Sequence, residues 1–371
     1  MKDELKKIAL SNLLSSIASG LVQPYYSFLS VFYGVTGPLL GLVSSAGVVI
    51  PDVIPYVFRR INLGTPALGF FLAGVAWIGL AFFPLGTAST PFYLASLVGL
   101  GIASFYLQLA LEPLSRGARG DILGLMNQYA RMGSIIATVV TGFFVGSNYG
   151  LNHVLAVMTG ILLIASGLEV LHVKVEGVKG DIEDSGRGLL LANTVFYFVW
   201  SLAWPIFPVL EVYKFHMNEL NLAILSLVSG FSGLTAQKWM NKLINRDPEL
   251  VLFLGRAGLA IYPLAYALAT NVYELYLAYL AMALTSTSAP ATLAVIFERT
   301  KNVKASLSKL YFWQGVASAL GSVTSATVLY SVSYSPASLV RIAETMMMTI
   351  AALRFLASFL YLTLARPRRV S

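Results

Sequence analysis

Five polar side chains recur along one otherwise apolar run of the sequence. Asn12, Ser16, Ser19, Gln23 and Tyr26 are spaced four, three, four and three residues apart, so a helix carries them on one face. Amides and hydroxyls in such a row can hydrogen-bond a polar solute, or satisfy one another across a helix contact. A second row, Asn127, Arg131, Ser134, Thr138 and Thr141, has a similar period and contains a cation. A third is mainly aromatic: Asn193, Tyr197, Trp200 and Trp204. Shorter sets follow in Ser104, Gln108 and Glu112, in Tyr276, Ala283 and Thr287, and in Trp313 beside Gln314. The chain has no cysteine, which removes disulfides and thiolate metal sites. Its three histidines, His153, His172 and His216, are isolated, and no Gly-rich run ends in Gly-Lys-Ser/Thr. These residues suit binding rather than bond-making. No enzyme, metal or cofactor is expected.

The elements that carry these rows are membrane helices. Of 371 residues, 57% are hydrophobic and 11% charged, against about 25% charged in a soluble domain. Neither Ile61 to Leu111 nor Leu310 to Val340 contains an Asp, Glu, Lys or Arg. Continuous runs of this length fit crossings of roughly 20 residues each and not the alternating strands of an outer-membrane barrel. The hydropathy predicts an all-α polytopic protein with helices near 8–32, 37–58, 65–85, 91–111, 121–146, 152–172, 188–211, 219–240, 249–269, 272–297, 305–330 and 338–365. The first run has no compact cleavage site and reads as a membrane helix.

The basic residues test that count. With the N-terminus in the cytoplasm, 20 of the 25 Lys and Arg fall on the cytoplasmic side. They lie at Lys2 to Lys7, Arg59 and Arg60, Arg116 and Arg119, Lys174 to Arg187, Lys238 to Arg246, Arg299 to Lys309, and Arg366 to Arg369. This is the positive-inside pattern at every second turn, and it puts both termini in the cytoplasm. It also accounts for the net charge of +8: basic loops face an anionic leaflet, and no nucleic acid is expected.

The stretch His172 to Arg187, HVKVEGVKGDIEDSGR, has four acidic and three basic residues and three glycines. It reads as a linker between two apolar blocks. The predicted domains are 1–172, a cytoplasmic linker 173–187, and 188–371. The blocks repeat. At an offset of 181, Leu10, Asn12, Leu21, Pro24 and Leu29 meet Leu191, Asn193, Leu202, Pro205 and Leu210. At 182, Tyr129 and Gly133 meet Tyr311 and Gly315. Six helices per block keep both in one orientation, a parallel repeat about an axis along the membrane normal.

With this architecture the chain resembles the major facilitator superfamily of secondary transporters, over its whole length. The family's signature between the second and third helices of a half is a Gly, three residues, an acid and a base, then further bases. Its nearest counterpart is Gly233 to Lys238 followed by Lys242, with Gln237 in place of the acid. Gly47, Pro51, Asp52, Pro55, Arg59 and Arg60 supply the ingredients in the first half at a different spacing. The resemblance implies a substrate site between the halves and alternating access by rocking. Lining residues are then expected among Asn12, Ser16, Gln23, Tyr26, Gln108, Asn127, Arg131, Asn193, Tyr197, Trp200, Trp204, Trp313 and Gln314. Asp52, Glu112, Gln237 and Lys238 are the coupling or gating candidates.

Arg131 lies about 15 Å along its helix from the cytoplasmic end. A charge at that depth must snorkel, pair or face water. An anionic substrate is one partner for it and Glu112 another. Arg256, Glu344 and Arg354 fall on helices that are peripheral in the resembled family and read as packing or rim pairs. The expected protein is a monomer in the cytoplasmic membrane that moves a small amphipathic or anionic solute, with a proton or ion as coupling partner. The alternatives are an exporter of hydrophobic compounds, and a non-transporting sensor or lipid-handling protein on the same scaffold.

Overall fold

A computed structural model describes residues 2–32, 34–57, 65–82, 90–145, 152–173, 175, 187–300 and 302–364. The side chains of Gln23 and Tyr26, the loop bases Arg59 and Arg60, and most of the 173–187 linker lie outside the described residues. Among the described residues the chain makes twelve helical passes. They are α1 (Lys2–Phe32), α2 (Gly37–Val57), α3 (Ala67–Ala81), α4 (Thr90–Leu114), α5 (Arg119–Val139, continued by a π-helical turn Val140–Val145) and α6 (Asn152–Glu169). The second six are α7 (Arg187–Tyr213), α8 (Glu219–Arg246), α9 (Pro248–Leu268), α10 (Val272–Arg299), α11 (Val303–Val332) and α12 (Pro336–Thr363). The hydropathy count and the helices agree, because a bilayer imposes one length on every crossing. The main difference is that α1 begins at Lys2, inside the charged segment expected to precede it.

Each six form a bundle. In the first, α1 packs on α5 and α6, and α3 packs on α4 and α6. In the second, α7 packs on α11 and α12, and α9 on α10 and α12. Small residues set the closest approaches. A Cβ on Gly69 of α3 would run into the Ala103 backbone of α4, and one on Gly99 would meet Ala73 at 2.6 Å. The two glycines let these backbones touch without side chains between them.

The repeat seen in the sequence has a structural counterpart. Asn12 of α1 donates to the Met126 carbonyl of α5 at 2.8 Å. Its equivalent, Asn193 of α7, donates to Gln314 Oε1 of α11 at 2.9 Å. In each half the same asparagine ties the first helix to the fifth.

The second bundle is irregular where it carries proline. α7 is interrupted between Ser201 and Ile206, next to Pro205, and α9 between Gly258 and Ile261, just before Pro263. α10 passes through a 3₁₀ turn at Tyr279–Ala281 and breaks again before Ser288. Proline lacks the N–H that would close the preceding turn, so carbonyls are freed at these levels. Arg354 of α12, fully buried, takes up one of them, Leu259, together with the Trp200 carbonyl, which the Ala203 amide meets only at 3.5 Å. It donates to the Leu259 carbonyl at 2.9 Å and to the Trp200 carbonyl at 2.5 Å. Leu259 is four residues before Pro263 and has no helical donor of its own.

Candidate functional site

The halves meet along two helix pairs, α2 with α11 and α5 with α8. Both seams are built from amides, glycines and a few charges. On α2–α11, Gln314 Nε2 donates to Asp52 Oδ2 at 2.7 Å, and Gln314 Oε1 accepts from Asn193 as above. The Tyr361 hydroxyl donates to the other end of Asn193 at 3.0 Å. A continuous hydrogen-bonded file therefore runs from an acid in the first half to α12 in the second. Nearby, the Tyr311 hydroxyl of α11 donates to Gln108 of α4 at 2.6 Å.

On α5–α8, Asn127 Nδ2 donates to Gln237 Oε1 at 2.7 Å and to the Ser286 carbonyl of α10 at 3.2 Å. Gln237 in turn donates to Asn241 at 2.6 Å. Where the resembled signature has an acid, the chain places a fully buried amide within a neutral ladder; Lys238 beside it is exposed. Toward the end where α1 begins, the Gly120 amide donates to Asn245 at 2.6 Å, and Asn245 donates to Asp121 at 3.2 Å. Arg119 donates to the Phe297 carbonyl of α10 at 2.6 Å and lies 3.5 Å from Glu298. At the opposite end, Phe28 and Val31 of α1 share an apolar cluster with Ile206 and Leu210 of α7. The halves touch at both ends.

A cavity of about 490 Å³ is lined by α1 to α5 of the first bundle. Asn12, Ser15, Ser16 and Ser19 of α1, Ser104 of α4 and Ser134 of α5 supply its polar wall. Gly47 and Pro51 of α2, Phe70 of α3, and Leu100 and Leu107 of α4 add apolar surface. The size and the mixture match a small-molecule site. No charged side chain lines it. Charges instead stand next to it in sequence: Arg131 follows the lining Ala130, and Asp52 follows the lining Pro51.

Arg131 is half-buried and reaches across to α8. A Cβ on Gly233 would stand 2.7 Å from its Nη1 and 2.9 Å from its Cζ. Only a glycine there leaves room for the guanidinium. Its Nε is buried with no hydrogen-bond partner. Glu112, the internal partner considered for it, pairs with Arg116 at 3.2 Å instead. Arg131 is thus a cation at the seam with no anion beside it among the described residues.

The remaining expected residues are distributed differently. Of the lining set, Asn12 and Ser16 face the cavity. Gln108, Asn127 and Gln314 bridge the halves, and Asn193 is buried within the second bundle. Tyr197 and Trp200 do not line the cavity; with Phe196 and Tyr361 they enclose Arg256. The Arg256 guanidinium sits 4.9 Å from the Tyr197 ring centre, 5.0 Å from Phe196, 5.7 Å from Trp200 and 5.9 Å from Tyr361. Four faces around a desolvated cation contribute about 2 kcal/mol or more for a good contact. That explains how Arg256 is 3% exposed with no carboxylate paired to it among the described residues. Trp204 packs edge-on against Trp200. Trp313 is exposed, on the stripe of α11 that carries Leu320.

Sequence reasoning passed over Glu211. It is 9% exposed on α7 and accepts a hydrogen bond from the Tyr266 hydroxyl at 2.8 Å. The signal was present: it is the sole acid between Arg187 and Tyr213 in an apolar, proline-containing run.

No family model and no curated protein matches this sequence. Solved structures do match in fold. One is the human organic anion transporter MFSD10 (TETRAN), at 13% identity and a TM-score of 0.69, over 97% of this chain and 99% of that one. Another is a POT family transporter in complex with 5-aminolevulinic acid, at 10% identity and 0.72, over 97% and 95%. The nucleoside transporter NupG aligns at 13% identity and 0.66, over 97% and 99%. Over nearly its whole length the chain therefore shares the polytopic all-α fold of these transporters: two six-helix bundles facing each other across a seam.

Proposed function

We propose that the protein is a secondary transporter that moves a small organic anion across the cytoplasmic membrane by alternating access. The observation that carries this is Arg131, a cation against α8 with no counter-charge among the described residues, next in sequence to the lining of a cavity of hydroxyls and one amide. A buried cation without an anion is costly, and a solute carboxylate or phosphate removes that cost while its polar body meets the serines. The similar structures fit such a solute: one is an organic anion transporter and another holds 5-aminolevulinic acid. The two bundles, 1–172 and 188–371, are the rocking units, and the 173–187 segment tethers them on the cytoplasmic side. Both termini are cytoplasmic, on the strength of the loop bases. A proton is the coupling partner.

The test is a thermal-shift screen of the purified protein against organic acids, amino acids, peptides, nucleosides, sugars and drug-like cations. Organic acids are expected to stabilise it. The Arg131→Gln variant is expected to fold normally and bind the best of them about 10- to 100-fold more weakly, the worth of a hydrogen bond to a charged group. Stabilisation by cations alone would favour an exporter of hydrophobic compounds. Equal affinity in the variant would remove Arg131 from the site.

A further inference from the structure

We infer that Gly233 stands where the internal repeat places an acid, and that a carboxylate of the solute supplies the acid that the glycine leaves out. Gly233 is then the residue that keeps Arg131 available to an anion. This rests on the transporter reading above and names the chemical group its site takes.

The repeat relates the two seams to each other. At the offset of 181, Asp52 of α2 falls on Gly233 of α8. At 182, Trp313, Gln314 and Gly315 of α11 fall on Arg131, Met132 and Gly133 of α5. The contacts follow the same equivalence. Asp52 meets α11 at Gln314, which donates to it at 2.7 Å. It also meets Gly315, where a Cβ would stand 3.2 Å from the Asp52 Cβ. Gly233 meets α5 at Arg131, next to the equivalent of Gln314. Related helix pairs in a parallel repeat present related positions to each other, so Asp52 and Gly233 occupy one level of two matching seams.

At that level the seams carry complementary groups. On α2–α11 the acid is present and a neutral amide donates to it. On α5–α8 the base is present and the acid's position is a glycine. The guanidinium rests where a side chain at 233 would begin, with Nη1 2.7 Å and Cζ 2.9 Å from the place of a Cβ. The adjoining levels of this seam are neutral. Toward the cytoplasm, Asn127 donates to Gln237 at 2.7 Å. In the other direction, the Ile135 side chain lies against Gly230. The Arg131 Nε is buried with no hydrogen-bond partner. Arg131 also borders the cavity, since Ala130 before it and Ser134 a turn after it line the wall.

A cation inside a membrane bundle is costly without an anion, and a carboxylate that meets the guanidinium fork is its strongest neutral-pH partner among side-chain and metabolite groups. An acid built in at 233 would satisfy Arg131 permanently and leave a solute's carboxylate nothing to pair with. The glycine keeps the charge in place and uncompensated until an anion enters from the cavity. Nothing in the helix packing forbids the acid. The atoms that a side chain at 233 would meet are the far end of a flexible arginine, which can withdraw, and the matching helix pair accepts an acid at Asp52.

The test supplies the acid. Gly233→Asp and Gly233→Asn are made in the full chain, each alone and together with Arg131→Gln. Unfolding midpoints without solute come first. The Asp variant is expected to melt at or above the Asn variant, and the order is expected to reverse with Arg131→Gln, where the new carboxylate has no base. Acetate, benzoate and succinate are then titrated against sodium chloride of equal ionic strength. At least one should stabilise the native protein. Its affinity should fall about 10-fold or more in Gly233→Asp and much less in Gly233→Asn, which has the same bulk and no charge. Equal losses in the two variants would show that bulk matters and charge does not. An Asp tolerated no better beside Arg131 than without it would show that no pair forms. Either result overturns the proposal, as does a native protein that none of the three carboxylates stabilises, or a Gly233→Asp variant that fails to fold where Gly233→Asn folds. If neither folds, carboxylate stabilisation that persists in Arg131→Gln overturns it. Carboxylate binding in the expected pattern by a protein that gives no vesicle uptake would leave the site standing and remove the transporter reading.

Discussion

Tethering Asp121→Cys to Asn245→Cys with a short, reducible bis-methanethiosulfonate is expected to reduce vesicle uptake of the solute identified by binding to background. Reduction should restore it. The two side chains meet at 3.2 Å across α5 and α8 and both are exposed, so the reagent has access. With no native thiol in the chain, the cross-link is confined to this pair. A flexible bridge avoids the narrow geometry a direct disulfide demands. Holding this end shut leaves the solute site able to open to one side only, and net transport needs both. The solute should still bind to the tethered protein, because the cavity is not altered. Full uptake in vesicles whose protein is shown to be completely cross-linked would refute rocking about this seam.

The largest loss of stability is expected from Arg354→Met. The methionine fills much of the volume but donates nothing, so the Leu259 carbonyl and part of the Trp200 carbonyl's bonding are lost at once. Each buried acceptor left without a donor costs about 1–3 kcal/mol. Removing a buried charge returns some of that, and a net loss of about 2–4 kcal/mol is expected. Thermal unfolding of the purified variant in detergent, followed by tryptophan fluorescence, reads it as a midpoint lowered by several degrees. Arg354→Lys should also lose stability, since a single ammonium does not reproduce the fork that spans α7 and α9. An unchanged midpoint in both variants would mean that the two breaks hold without α12.

Much of the fold could be read from the chain alone. The twelve passes emerge from apolar runs and from loop bases at every second turn, both local properties that a bilayer enforces. The Asn12 and Asn193 equivalence was also legible, since the repeat preserved an asparagine at one offset. The polar row on α1 was legible because a period of 3.6 fixes which residues share a side, and Asn12, Ser16 and Ser19 line the cavity together. Arg131 was found by depth: an arginine that far inside a crossing demands an explanation whatever its neighbours are.

The partners of each polar group were not legible. Tyr197 and Trp200 have the spacing of a lining row, yet they surround Arg256, which lies 59 residues beyond Tyr197 in sequence. An aromatic stripe looks the same whether it faces a solute or an internal cation. Gln314 reads as a lining residue until Asp52, 262 residues away, is seen to accept from it. Arg354 reads as a peripheral charge until the two proline breaks fall on either side of it. Glu211 gave no periodic pattern at all, and its hydrogen bond from Tyr266, 55 residues on, appears only in the fold. The sequence by itself determined the number of crossings, their faces and the presence of a cation in the membrane, because hydropathy and helical period act within one segment. Which charges are paired inside the protein became visible in the tertiary structure, because that depends on contacts between helices far apart in the chain.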